Sequence, residues 1–371
     1  MSIPVRKSSQ GAVLISYHDL VENPLALRQS IEAGFGSGED ALGIVVIEDL
    51  PSEFPHLRER LLRLINSYAN LPEEAKASSL ANKSNGYSFG WSHGVEIMNG
   101  VPDLFKGSYY NNPLTDNPDV SAAERAAYPM YYSNNVWPDA RERDVDGFES
   151  SFKELGKFVF NVGCLLSKAC ESFVSEALVD ASQTIENLIS TSQCNKARLL
   201  HYFSPQDTVK PKKEGVDDDL CGIHLDHSLL TGLCSALYLF HPEGVKSTED
   251  LPPKAVPAPY PNSGLYIIPR SSTTPVRVSI PADCLAFQTG EALQLCTGGK
   301  LRATPHYVQA GSPDIHGEKI TIDGQKGTVT RETFAFFLQP DVGAIVSKRP
   351  DGSQESFGEF SKRILDKHHS F

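Results

Sequence analysis

The sequence predicts an α+β protein, a jelly-roll or barrel core of short strands with a helix-rich N-terminal half packed on it. Three observations lead there. From about residue 196 onward, short apolar runs separated by Gly, Pro, Asn and Asp dominate, the pattern of many short strands joined by turns. The preceding half instead spaces its apolar residues at helical intervals. The stretch Cys221-Gly222-Ile223-His224-Leu225-Asp226-His227-Ser228-Leu229-Leu230-Thr231 places an imidazole and a carboxylate two residues apart in a segment that reads as a buried strand.

In the first half, residues 12–16 read as a short strand. Asp19 follows in an N-cap region, then a helix over 24–33. Residues 43–48 are a β-branched run bounded by Gly43 and Pro51, a buried strand. Leu57, Leu61, Leu62, Leu64 and Ile65 recur at helical spacing over 54–69. Residues 71–76 open a further helix with Pro72 early and acids in its first turn. Residues 85–91 are aromatic and glycine-rich, a turn and strand. A long helix is expected over 147–177 and a shorter one over 181–188.

The second half opens with a strand at 197–203 and a polar loop at 204–219. Strands follow at 224–231, 233–240, 264–269, 276–280, 284–288, 301–308 and 328–338, with long loops at 241–263 and 310–327. No 20–50-residue period repeats. The expected division is 1–195 as a support region, 196–345 as the jelly-roll core and 346–371 as a C-terminal helix or tail, in one integrated unit.

Composition narrows the function classes. The 371 residues are 40% apolar and 22% charged, ordinary for a water-soluble protein with a real core. A formal charge of −12 repels polyanions and argues against nucleic acid as the main partner. The seven cysteines form no CxxC pair, so reduced core thiols in a reducing compartment are expected. Residues 1–20 contain no apolar signal core and no run approaches 18 apolar residues, which sets the expectation at cytoplasmic, without a membrane.

On a strand, His224 and Asp226 project to one face, about 7 Å apart along the backbone. They supply two of the three ligands of a 2-His-1-carboxylate set, which leaves open positions on a non-haem Fe(II). His306, after the turn Thr297-Gly298-Gly299, is the strongest candidate for the third. His18, His56, His241 and His316 lie in polar stretches, and His201 sits beside Tyr202. By alternation His227 points away from Asp226 and is a pocket-lining candidate.

These residues resemble the isopenicillin N synthase-like branch of the Fe(II)/2-oxoglutarate-dependent oxygenases. His224-Leu225-Asp226-His227-Ser228-x-Leu230-Thr231 is similar to that family's His-x-Asp-His-Ser-x-Leu-Thr segment. Residues 281–301 resemble its glycine-marked strand pair leading to the distal histidine. Arg331-Glu332-Thr333 resembles its Arg-x-Ser strand, with Thr for Ser. The resemblance implies a double-stranded β-helix (jelly-roll) core, with His224, Asp226 and His306 as Fe(II) ligands, O2 as co-reactant and ascorbate as a reductant. It implies Arg331 and Thr333 on the distal carboxylate of 2-oxoglutarate, and Tyr202 as a further co-substrate contact. Arg331 is preferred to Arg302, which precedes the ligand strand. A guanidinium fork suits a bidentate carboxylate contact.

Two departures stand out. Leu200 occupies a position that is often Asn in plant members. The 309–330 connection is longer than usual, read as an extended hairpin around Asp323-Gly324. Alternation aims Phe337 and Gln339 at the interior that Arg331 faces; with Tyr87, Phe105 and His227 they are the candidate substrate contacts. The expected activity is oxidation of a C–H bond in a small organic molecule by hydroxylation, oxidative demethylation or desaturation, releasing succinate and CO2. The alternatives are a same-fold Fe(II) oxidase that uses no 2-oxo acid, and a non-catalytic jelly-roll binding protein.

Overall fold

The computed structural model describes residues 2–98, 101–174, 178–204, 219–245, 252–309 and 319–368. Two β-sheets face one another. The major sheet runs in the order Arg6–Lys7, Val13–Ser16, Ile44–Glu48, Leu285–Thr289, Leu230–Cys234, Gln325–Leu338, Lys196–Tyr202, Lys106–Asn111 and Gly90–His93. Leu237–Pro242 pairs with the first half of the long Gln325–Leu338 strand, and Leu230–Cys234 with its second half. The minor sheet orders Val276–Val278, Gly264–Ile267, His306–Gln309 and Asp219–His224. The pairings are antiparallel, except that Val13–Ser16 runs parallel to Ile44–Glu48.

Side-chain alternation divides the major sheet into two faces. Its outer face packs on the helix Phe148–Val174. Phe334 meets Phe152 edge-on at 5.6 Å, and Phe336 lies 6.4 Å from Phe160. The approach is close enough to require glycine on both partners. A Cβ on Gly163 would lie 2.4 Å from Leu338, and one on Gly232 would lie 2.5 Å from Val159. At one end of the inner face Ile44, Val46 and Ala286 join Leu265, Ile267 and Val278 of the minor sheet in a second core.

The fold is the mixed α/β jelly roll that the sequence predicts, and several elements match it closely. The helix at 54–69 is Phe54–Ala69, and the long helix is Phe148–Val174, residues 175–177 lying outside the described set. The extended hairpin is also present: Ile320–Ile322 pairs with Gln325–Leu338 around Asp323 and Gly324, both at positive φ (50° and 79°), as a tight hairpin turn requires.

Other expectations need correction. Residues 224–231 are not one strand: Asp219–His224 ends at the histidine and Leu230–Cys234 begins six residues on. Residues 291–296, read as part of a strand pair, form a short helix, Glu291–Cys296, because Ala292, Leu293 and Cys296 bury one helical face. The 24–33 helix begins as a 3-10 turn, Pro24–Leu27, before Arg28–Phe35. The 181–188 helix is Ile185–Ser190, capped by Thr184. Residues 205–218 of the 204–219 loop and parts of those at 241–263 and 310–327 lie outside the described residues. Among the described residues no helix is long and apolar enough to cross a membrane.

Lys196, at the start of its strand, is buried. Its ammonium donates to the Met130 carbonyl and lies 4.3 Å from the Phe89 ring centroid. Burial pulls its pKa down to about 7. In the unfolded chain it titrates near 10.4, so between these values the unfolded state binds more protons and stability rises with pH. The ring contact favours the charged form and moderates the effect. We expect Lys196→Met to reduce the stability gained between pH 7 and pH 9.5 by on the order of 1–3 kcal/mol, measured by denaturant unfolding at both pH values.

Candidate metal centre and active site

The adjacent strands of the minor sheet bring two histidines together. His306 opens its strand and is the register partner of His224, which closes the neighbouring one; their ring centroids lie 4.3 Å apart. The register shifts between these partners and the Val308–Cys221 pair, leaving Gly222 and Ile223 as a bulge. A bulge re-aims the side chain beside it. Asp226 lies off the strand, so its convergence with His224 comes from the turn after the strand rather than from i, i+2 alternation. Its Oδ1 lies 3.6 Å from His224 Nε2 and 3.8 Å from His306 Nε2.

Both rings are oriented by backbone. His224 Nδ1 donates to the Gly222 carbonyl at 2.7 Å and His306 Nδ1 to the Thr304 carbonyl at 3.1 Å. That turns each Nε2 toward Asp226, the nitrogen that would give up its proton to a metal bound there. One ligand atom from each of the three residues lies within 4.8 Å of the others. Asp226 and His306 side chains are 8% and 7% exposed against 39% for His224, so the group opens on the His224 side. Burial opposes the charge on Asp226, but His306 and His224 outweigh it and hold the carboxyl well below its usual range. Burial likewise opposes the charge on His224, yet Asp226 and Cys221 push its pKa up to about 11. Two imidazoles and one carboxylate converging this way form a donor set suited to a divalent transition metal.

Arg331 faces the same interior. It sits opposite Tyr202 on one neighbouring strand and Tyr238 on the other, its guanidinium 4.9 Å from the Tyr202 ring centroid. Its Nε and Nη1 are buried without a hydrogen-bond partner. A buried cation with donors left unpaired is costly, so such a fork marks a place for an anion. Thr333 shares that face, and its hydroxyl makes only a marginal 3.5 Å contact with the Cys234 carbonyl. Phe337 lies on the same face, opposite Thr231 and Lys196.

The remaining candidates fall elsewhere. The strand ends at Leu338, so alternation does not extend to Gln339, whose amide donates to the Cys194 carbonyl at 2.7 Å. His227 is turned to Glu291 (3.6 Å) and the Phe360 ring (6.1 Å) on the C-terminal helix Phe357–His368. Tyr87 is half-buried in a turn at φ 57°, and Phe105 is half-buried just before Lys106–Asn111. Two features escaped the sequence reading. Tyr238 faces Arg331, although only the register reveals it. Arg198 shares the Tyr202 face by simple parity and joins Ser108, Lys106 and the partly exposed Glu96 in a polar network.

No protein-family model and no curated protein matches the chain by sequence. Solved structures match its fold. A full-length Neurospora crassa protein in complex with alpha-KG aligns over 98% of this chain and 100% of its own, with 16% identity and a TM-score of 0.62. A Caulobacter crescentus protein assigned to the 2OG-Fe(II) oxygenase family aligns over 96% and 99%, with 18% identity and a TM-score of 0.65. The rice dioxygenase for auxin oxidation aligns over 96% and 95%, with 15% identity and a TM-score of 0.54. The Neurospora protein has also been solved with alpha-KG together with thymine or 5-formyluracil. The chain therefore shares its fold with these proteins, as the resemblance implied.

Removing the carboxylate tests the metal centre. Asp226→Ala is expected to weaken Co(II) or Mn(II) binding by about 100-fold or more while leaving the fold intact, followed by Co(II) absorption titration and far-UV circular dichroism.

Proposed function

We propose that the chain is an Fe(II)- and 2-oxoglutarate-dependent oxygenase acting on a C–H bond of a small organic molecule. One observation carries the reading: the His224/Asp226/His306 donor set and the Arg331 fork with its unpaired donors occupy one interior between the two sheets. The fold shared with 2OG-Fe(II) oxygenases along nearly the full chain supports it.

His224, Asp226 and His306 would hold Fe(II), and the donor chemistry fits that ion. Bound there, iron supplies the O2 chemistry that side chains lack. Arg331 takes the distal carboxylate of 2-oxoglutarate bidentately, and the Thr333 hydroxyl turns from its marginal contact to the same carboxylate. Tyr202, buried with its ring centroid 4.9 Å from the guanidinium, packs against the fork. In net terms, substrate, 2-oxoglutarate and O2 give oxidised substrate, succinate and CO2. Phe337, on the face that Arg331 and Thr333 share, is the apolar group offered to the substrate, and ascorbate would serve as reductant. The unpaired cysteines suit a reducing, cytoplasmic setting.

A same-fold oxidase would use Arg331 for a carboxylate of its own substrate, and calorimetry separates the two. Mn(II)-loaded protein without O2 is expected to bind 2-oxoglutarate, and Arg331→Ala to weaken that binding by about 2–4 kcal/mol with metal affinity unchanged. Absence of any 2-oxoglutarate binding by the metal-loaded wild type, with no substrate-dependent succinate release across a metabolite panel, would sink the reading.

A further inference from the structure

The strands that form the anion pocket carry a second polar group on their other face. Glu332 and His201 follow and precede Arg331 and Tyr202 respectively, and are register partners like them. Alternation therefore sends them outward, toward the helix Phe54–Ala69. Glu332 is fully buried and His201 nearly so. A single carboxyl oxygen, Glu332 Oε1, gathers three contacts: Asn66 Nδ2 at 2.8 Å, Thr330 Oγ1 at 2.8 Å and His201 Nδ1 at 2.9 Å. Asn66 and Thr330 each lie 3.2 Å from His241 Nε2 as well. Glu332 Oε2 is buried without a partner.

The elements joined this way are those that build the pocket. Tyr202 and His201 share one strand, Arg331 and Glu332 a second, Tyr238 and His241 a third. Inside, the three strands present the fork and its two tyrosines; outside, one carboxyl oxygen ties the first two strands to the helix, and His241 ties in the third. A buried carboxyl with one oxygen unpaired adds little to stability alone, since an apolar replacement of similar volume often does as well. What it supplies is registry. A one-residue slip of Lys196–Tyr202 against Gln325–Leu338 would put His201 on the inner face and take Tyr202 away from Arg331.

We propose that the Glu332–His201–Asn66 cluster is a positioning clamp that sets the Arg331 fork and Tyr202 for the distal carboxylate of 2-oxoglutarate. The inference rests on the co-substrate reading above. None of its residues touches the co-substrate; they act through the strand register.

The test titrates Mn(II)-loaded, O2-free protein with 2-oxoglutarate and measures Mn(II) affinity separately. Glu332→Leu and His201→Phe are expected to weaken 2-oxoglutarate binding tenfold or more with Mn(II) affinity within twofold. Glu332→Gln, which keeps an acceptor oxygen, should stay within threefold of wild type. Phe334→Leu, on the same outer face but outside the cluster, controls for lost stability and should leave 2-oxoglutarate affinity within twofold. Should Glu332→Leu fail to fold, His201→Phe carries the comparison. Unchanged affinity in the clamp variants, a Gln variant as weak as Leu, or an equal loss in Phe334→Leu would overturn the clamp. A wild type that takes up Mn(II) but never binds 2-oxoglutarate instead overturns the co-substrate reading, and the clamp with it.

Discussion

The structure depends on the two-residue period of one long strand, Gln325–Leu338. Its even residues, Phe334, Phe336 and Leu338, anchor the Phe148–Val174 helix and are buried almost completely. Its odd residues, Arg331, Thr333 and Phe337, line the space between the sheets. The outer residues cannot move without opening the core, so the inner ones inherit their precision. The Arg331 guanidinium, whose unpaired buried donors would be costly in isolation, is thereby held in place by packing on the opposite face.

The interior is not uniform along its length. Ile44, Val46, Leu265, Ile267 and Val278 close one end with ordinary apolar packing. The other end is closed by charge: Arg198 and Lys106 both reach Glu96, and Lys106 also lies 3.3 Å from Asp103. The donor triad sits on the minor sheet beside the first kind of packing, since Ile267 is the register partner of His306. This asymmetry suits a site with two requirements. Metal ligands need rigid surroundings that hold their spacing, while polar reactants need groups that replace water.

Much of this was legible in the sequence because it rests on local patterns. The helix at 54–69 follows from five leucines and isoleucines at one spacing, and the hairpin turn from Asp323-Gly324. The grouping of His224, Asp226 and His306 was also reached, although by reasoning the structure corrects in part. Alternation presumed a continuous strand through Asp226, whereas a bulge at 222–223 and a strand end at His224 perform the convergence. Gln339 failed for a related reason, one residue beyond the end of its strand. What stayed hidden depends on register between distant segments. Nothing in Tyr238 or Glu332 as sequence positions says that one will face Arg331 and the other His201. The Glu291–Cys296 helix was hidden by its apolar content, which a buried strand would share.

The surroundings of the triad also bear on which metal it suits. A thiol is near: Cys221 Sγ lies 3.7 Å from His224 Nδ1. Had it faced the metal side, two imidazoles, a carboxylate and a thiolate would make a closed four-ligand set of the kind that favours structural zinc. But Nδ1 is the nitrogen hydrogen-bonded to the Gly222 carbonyl, and Nε2 is the one turned toward Asp226. Cys221 is thus behind the ring. The donor set stays at three and the group opens on one side through the half-exposed His224, an arrangement that suits an open metal site rather than a closed one.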